Sequence, residues 1–290
     1  MLRLASFLAA TLLSTGAAAA EGLKPFTLAH RAPGEPAAVT AEVTRKLEGA
    51  GFHVVGSYSP YAGTTVLAVT SAELKAAAAQ SRLGAYGAVQ RVTVTKVGDE
   101  VQVAFTNPAY MQHAYRMKGE MGKVGEQLAA ALGRLEEFGS AEGKSPKDLA
   151  GYHYMFGMPY FDEPWELGKR ASQAEALKAV EEGLAAGRGR TKKVYRVDVS
   201  PEESVFGVAL HEGCGADYFV MKEVDAKALR STGHLPYELL VTGGEIQALH
   251  AKFRIAMNFP DLSMMGANSF MGIRCAPDSI EAALQAVAGK

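Results

Sequence analysis

The sequence predicts an α+β fold: two similar small domains, each a mostly antiparallel sheet packed by helices, joined by a helical and aromatic-rich connector. Three observations predict it. Short apolar stretches alternate with polar residues and end at Gly, Pro and Asn clusters, the mark of strands and hairpins. Apolar residues recurring every three or four positions fall between those stretches. The order of strands and helices also comes twice along the 290 residues.

In the first part, residues 25–31 alternate as a strand. Val39, Val43 and Leu47 then mark one helix face, which Gly49 and Gly51 stop. Residues 52–58 and 64–69 read as strands, and Ser71 caps an alanine-rich helix over 72–80. Residues 88–97 and 100–106 flank Gly98-Asp99 as a hairpin, and Asn107-Pro108 opens another helix.

The last part is read in the same order. Residues 193–199 form a strand, Ser200-Pro201-Glu202-Glu203 is a capping box opening a helix to Glu212, and 217–224 form a strand. Asp225 caps a short helix to Arg230, and 236–241 and 246–257 flank Thr242-Gly243-Gly244-Glu245 as a hairpin. Asp278 and Glu281 cap a final helix to about Ala288. The exit at residues 101–111, with Asn107 and Pro108, aligns with residues 253–264, with Asn258 and Pro260, and duplication is the expectation. The expected boundaries are a signal peptide at 1–20, a first domain at 21–118, a connector at 119–190 and a second domain at 191–290.

Composition narrows the classes. The chain is 48% hydrophobic and 21% charged with a net charge of −1, which excludes a disordered chain and gives no electrostatic pull toward nucleic acid. The leader carries Arg3, an apolar run over 4–13, and Ala18 and Ala20 at a small-x-small site, so cleavage after Ala20 is expected. That run is too short to span a bilayer of about 30 Å. A periplasmic or secreted protein without a membrane anchor is therefore expected. Cys214 and Cys275 would meet an oxidising compartment there, and a structural disulfide is the favoured reading. Two buried thiols or a reactive Cys214 are the alternatives.

The connector opens with a helical stripe over 121–138 and contains six aromatics in the 14 residues 152–165. Its glycine and prolines oppose regular structure. Tyr152, His153, Tyr154, Phe156, Tyr160 and Trp165 are the candidate ligand-binding residues, able to line a cleft for a small apolar or planar molecule. Packing between domains is the plainer role for the same residues. A helix over 173–187 follows, and Arg188-Gly189-Arg190 leads into the last part.

No nucleophile elbow, zinc-protease helix or calcium loop occurs, and no catalytic residue is assigned. Gly139 to Ser145 lacks the glycine spacing of a phosphate loop. His113, Met117 and Met121, spaced by four, would share a face if their helix ran through Gly119. Such soft ligands suit Cu(I), so a copper- or haem-handling role is the alternative to a cofactor-free protein. An enzyme using Cys214 or a histidine is the second alternative.

The stretch from Thr40 to Val55 and the exit from Asp99 to Met111 carry Leu47, Gly51, Phe52, Asn107, Pro108 and Tyr110. Through these, residues 36–117 resemble the bacterial family called domain of unknown function 302, with 192–290 as a diverged second copy. The resemblance implies a sheet-plus-helix fold, dimer-like packing of two units and no established catalytic residues. The expected function is non-catalytic binding of a small ligand or an exported protein partner in a cleft between the duplicated domains, with a homodimer among the expected assemblies.

Overall fold

A computed structural model describes residues 22–290; the expected leader lies outside the described residues. The first unit runs β1 (Phe26–Pro33), α1 (Pro36–Gly49), β2 (His53–Tyr58), β3 (Thr64–Thr70), α2 (Ala72–Ala78), a 3-10 turn (Gly84–Gly87), β4 (Gln90–Val97), β5 (Glu100–Thr106) and α3 (Pro108–Ala114). Then come α4 (Gly122–Leu132), β6 (Glu136–Phe138) and α5 (Pro146–Ala150). The second unit runs β7 (Trp165–Lys169), α6 (Gln173–Ala185), β8 (Thr191–Ser200), β9 (Glu203–Leu210), α7 (Asp217–Val224), a 3-10 turn (Thr232–His234), β10 (Tyr237–Thr242), β11 (Glu245–Ala248) and α8 (Ala251–Asn258). Helix α9 (Ala276–Ala288) ends the fold.

The two sheets are antiparallel and share one connectivity. Their orders are β2-β3-β4-β5-β1-β6 and β8-β9-β10-β11-β7, so each strand of the second sheet takes the place of its counterpart in the first. The α+β class holds. Local chemistry places many elements as the sequence predicts. Val39, Val43 and Leu47 are the buried stripe of α1. The Ser71 hydroxyl accepts from the Leu74 amide at 3.2 Å and starts α2. The Asn107 side-chain Oδ1 accepts from the Ala109 amide at 3.1 Å, with Pro108 pre-set for the first turn of α3.

The register of the repeat differs from the sequence reading. The second unit begins at Trp165, inside the expected connector, because β7 pairs with β11 and α6 follows it. Residues 119–190 are therefore not a separate layer: β6 likewise pairs with β1. The helical stripe over 121–138 stops at Leu132, where Gly133 takes φ +101° and turns the chain into β6.

Residues 203–210 are a strand rather than a helix. Ser200 pairs with Glu203 across a two-residue turn, and Ser204 to Leu210 is buried on both faces, so nothing alternates. Residues 217–224 are a helix rather than a strand, since Val220, Met221 and Val224 share one buried face. Residues 225–230 form a loop rather than a capped helix. Residues 246–257 divide into the short β11 and α8, with His250 as the N-cap. The counterpart of Asn107 is thus His250, and Asn258 ends α8. Asp278 sits in the first turn of α9, whose N-cap is Cys275.

The units meet along a seam. Val197, Val205, Leu240, Phe253 and Met257 of the second unit belong to the same apolar core as Leu67, Val92 and Val103 of the first. Contacts are reciprocal: β2 lies on β8, the first 3-10 turn touches β10, and the second touches β4. Gly56 makes the closest approach, since a Cβ there would overlap the Val194 carbonyl.

Candidate functional site

Polar groups are concentrated at the seam. Arg91 of β4 and Glu238 of β10 form a fully buried ion pair, and the Tyr195 hydroxyl donates to the other Glu238 oxygen at 2.5 Å. Arg254 of α8 donates to the His234 carbonyl at 2.6 Å and to the Pro236 carbonyl at 3.1 Å, with its guanidinium 4.7 Å from the Tyr237 ring. Tyr58 of β2 donates to Asp217 of α7 at 3.0 Å. Burial raises the Asp217 carboxyl to about 7, against the opposing pull of the Tyr58 and Leu210 donors. The Arg91–Glu238 pair and the Tyr58–Asp217 bond cross the seam and hold the units together.

One mouth of the seam is open. A cleft of about 480 Å³ is lined by Tyr61, Thr95 and Lys96 of the first unit and by Tyr218, Lys222, Asp225 and Arg230, among others, of the second. Asp225, Ala226 and Arg230 reach it from the loop between Val224 and Ser231. Gln102 of β5 holds that loop from across the seam, donating to the Ala228 carbonyl at 2.8 Å and accepting from the Arg230 amide at 3.1 Å. The Thr232 hydroxyl meets Tyr61 at 3.0 Å and Thr95 at 3.2 Å.

Asp225 is 6% exposed. Its Oδ1 accepts from the Ser231 amide at 2.8 Å, while Oδ2 has no protein partner. Burial raises this carboxyl to about 7, opposed by the Ser231 bond and by Arg230. Burial, with Asp225 close by, pushes the Tyr61 hydroxyl to about 12. Lys96 pairs with Glu35 at 3.2 Å; Lys222 makes no ion pair among the described residues. The walls thus carry three cations, of which Lys96 is already paired with Glu35, against the single Asp225 carboxyl.

The counterpart hairpin of the second unit carries apolar residues where the first unit lines this cleft. The β4–β5 hairpin pairs Val97 with Glu100, and the β10–β11 hairpin pairs Thr242 with Glu245. Counting back from each turn, Thr95 and Lys96 correspond to Leu240 and Val241, which are fully buried in the core.

The aromatic segment divides its duties. Phe161 stands between Tyr115, at the end of α3, and Phe253 of α8, with centroids at 5.4 and 5.9 Å, and so fills the gap between the units. Tyr152 and Tyr154 donate to the carbonyls of Ala256 and Leu262 at 3.2 and 2.7 Å. Trp165 lies in β7 with its ring 4.5 Å from His250. These four pack against neighbouring elements. His153, Phe156 and Tyr160 instead border a shallow depression of about 430 Å³ with His250 and Lys252, and Phe156 is 100% exposed.

His113, Met117 and Met121 do not share a helix face. Helix α3 ends at Ala114, and Arg116 takes φ +47°, so the spacing of four never stacks. Met117 is buried against Gly87 and Met121 is buried ahead of α4. Among the described residues no group of three His, Cys, Asp or Glu side chains comes together as a metal site. Cys214 and Cys275 are bonded, with sulfurs 2.17 Å apart, and tie the loop after β9 to the start of α9. Cys214 is therefore no free nucleophile. No helix among the described residues is long and apolar enough to cross a membrane.

The residues that line the open mouth are ones the sequence reading did not single out as a site. Tyr61 reads as part of a turn and Asp225 as a helix cap. Their only local signal is the run of Lys222, Asp225 and Arg230 beside an exposed Tyr218. No family model, curated protein or solved structure matches the chain.

Proposed function

We propose that the protein is an exported, non-catalytic binding protein that takes a small ligand in the open mouth of the seam. The observation that carries this reading is the inequality of the two equivalent hairpin edges. One connectivity occurs twice, yet where the second unit places Leu240 and Val241 in the core, the first places Thr95 and Lys96 on a polar cleft. Folding alone favours apolar closure of such a gap. Export is supported by the leader pattern of residues 1–20 and by the Cys214–Cys275 bond. We also carry forward the likeness of each unit to domain of unknown function 302: Leu47 and Phe52 are core residues, and Tyr110 donates across the seam to the Met257 carbonyl at 2.7 Å.

The test is a thermal-shift screen of small carboxylates, phosphates and neutral apolar molecules against the wild-type chain and Lys222→Ala/Arg230→Ala. Stabilisation of wild type by charged ligands, lost in the double variant, supports the reading. Equal responses in both proteins, or none in either, reject it. A second reading, supported by Phe156 at the rim of the outer depression, is docking of an apolar or planar ligand or a protein partner there; Phe156→Ala with Tyr160→Ala would then abolish binding that the seam variant retains.

A further inference from the structure

We propose that the seam cleft selects a small carboxylate bearing a hydroxyl or ammonium group on its α-carbon. The inference rests on the seam being the binding site and adds the chemistry of the ligand. Lys222, which has no ion pair among the described residues, stands on the wall of the cleft and meets the carboxylate, supported by Arg230, whose guanidinium also donates to the Asp225 backbone carbonyl, and by Lys96 opposite, which is paired with Glu35. Asp225 supplies the second point of recognition. Its Oδ1 is committed to the Ser231 amide, and the remaining oxygen of this buried side chain has no donor. A buried acceptor without a donor is costly, and a ligand O–H or N–H removes that cost on binding. The loop is held by Gln102 on both its Ala228 and Arg230 backbone groups and the Ser231 amide holds Oδ1, so the carboxyl is positioned before any ligand arrives. Tyr61 and Tyr218 flank the entrance, and Tyr218 is 54% exposed, leaving room for a planar or aliphatic ligand body. A simple carboxylate satisfies the cations and leaves Asp225 unpaired; a simple amine or alcohol does the reverse.

The experiment is titration calorimetry of the full chain at neutral pH with three matched pairs: L-malate and succinate, mandelate and phenylacetate, L-glutamate and glutarate. Within each pair that binds, the α-substituted member is expected to bind about tenfold tighter or more. Asp225→Asn should erase the preference. Its Oδ1 still accepts from Ser231, which places an N–H donor where the free acceptor stood. Lys222→Ala should weaken both members of a pair alike. The wild-type comparison decides the question even where a variant fails to fold. Equal binding within every pair overturns the inference on Asp225 and leaves the seam as an anion site. Absence of binding by all six compounds overturns both the inference and the seam as a site for carboxylates.

Discussion

Arg91 on β4 and Glu238 on β10 face each other across the seam, each from the counterpart strand of its own unit, and both are fully buried. Removing one member leaves the other charge in a dry interior. Glu238→Ala or Arg91→Ala is expected to cost about 3–5 kcal/mol, whereas Arg91→Met combined with Glu238→Leu should cost much less. Urea denaturation of the three variants checks this. A double variant as unstable as either single one would mean that the pair itself, not the stranded charge, carries the stability.

Asp217 gives the protein a pH dependence of definite sign. Its carboxyl rises from 3.8 to about 7 in the native state. Between those values the folded chain keeps a proton that the unfolded chain has released, so the contribution of this group to stability is greatest below about pH 4 and is lost as pH rises toward 7. Asp225, also raised to about 7, adds a slope of the same sign. Asp217→Asn should therefore make the change of the urea midpoint between about pH 4.5 and pH 7 less negative than in the wild type. A slope unchanged in that variant would assign the proton elsewhere.

The Cys214–Cys275 bond closes a segment with a sequence separation of 61 and pins α9 beneath the second sheet. Cys214→Ser with Cys275→Ser should lower stability by about 2–4 kcal/mol. Adding reductant to the wild type should move its melting temperature toward that of the variant and leave the variant unmoved. A wild type insensitive to reductant under unfolding conditions would contradict a formed bond.

Phe161 and Phe156 separate the two duties of the aromatic segment. Phe161 is buried between Tyr115 and Phe253, so Phe161→Ala should cost about 3–5 kcal/mol. Phe156 is fully exposed, and Phe156→Ala should change stability by less than about 0.5 kcal/mol. Thermal melts rank the two, and a reversed order would place Phe161 at the surface.

The first unit was legible in the sequence because its signals are local. Ser71 and Asn107 cap helices through their own neighbours, and Val39, Val43 and Leu47 mark one face without outside help. The second unit was misread where local signals conflict with burial. Ser200-Pro201-Glu202-Glu203 suits a capping box and a hairpin turn equally, and only pairing with β8 selects the turn. Residues 217–224 are rich in strand-favouring side chains, yet packing of Val220 and Val224 makes them helical. The cleft itself was not legible. Lys96 and Asp225 lie on different units, and no spacing rule relates them; His113, Met117 and Met121 show the converse, a regular spacing that a helix end dissolves.

Two identical chains related by a two-fold axis must present every off-axis feature twice. Here both halves sit on one chain, so one hairpin can place Val241 in the core while its counterpart places Lys96 on an open cleft. Covalent linkage therefore sets the expected stoichiometry at a single ligand per polypeptide, and it lets substitutions around Asp225 alter selectivity without disturbing the buried counterpart hairpin.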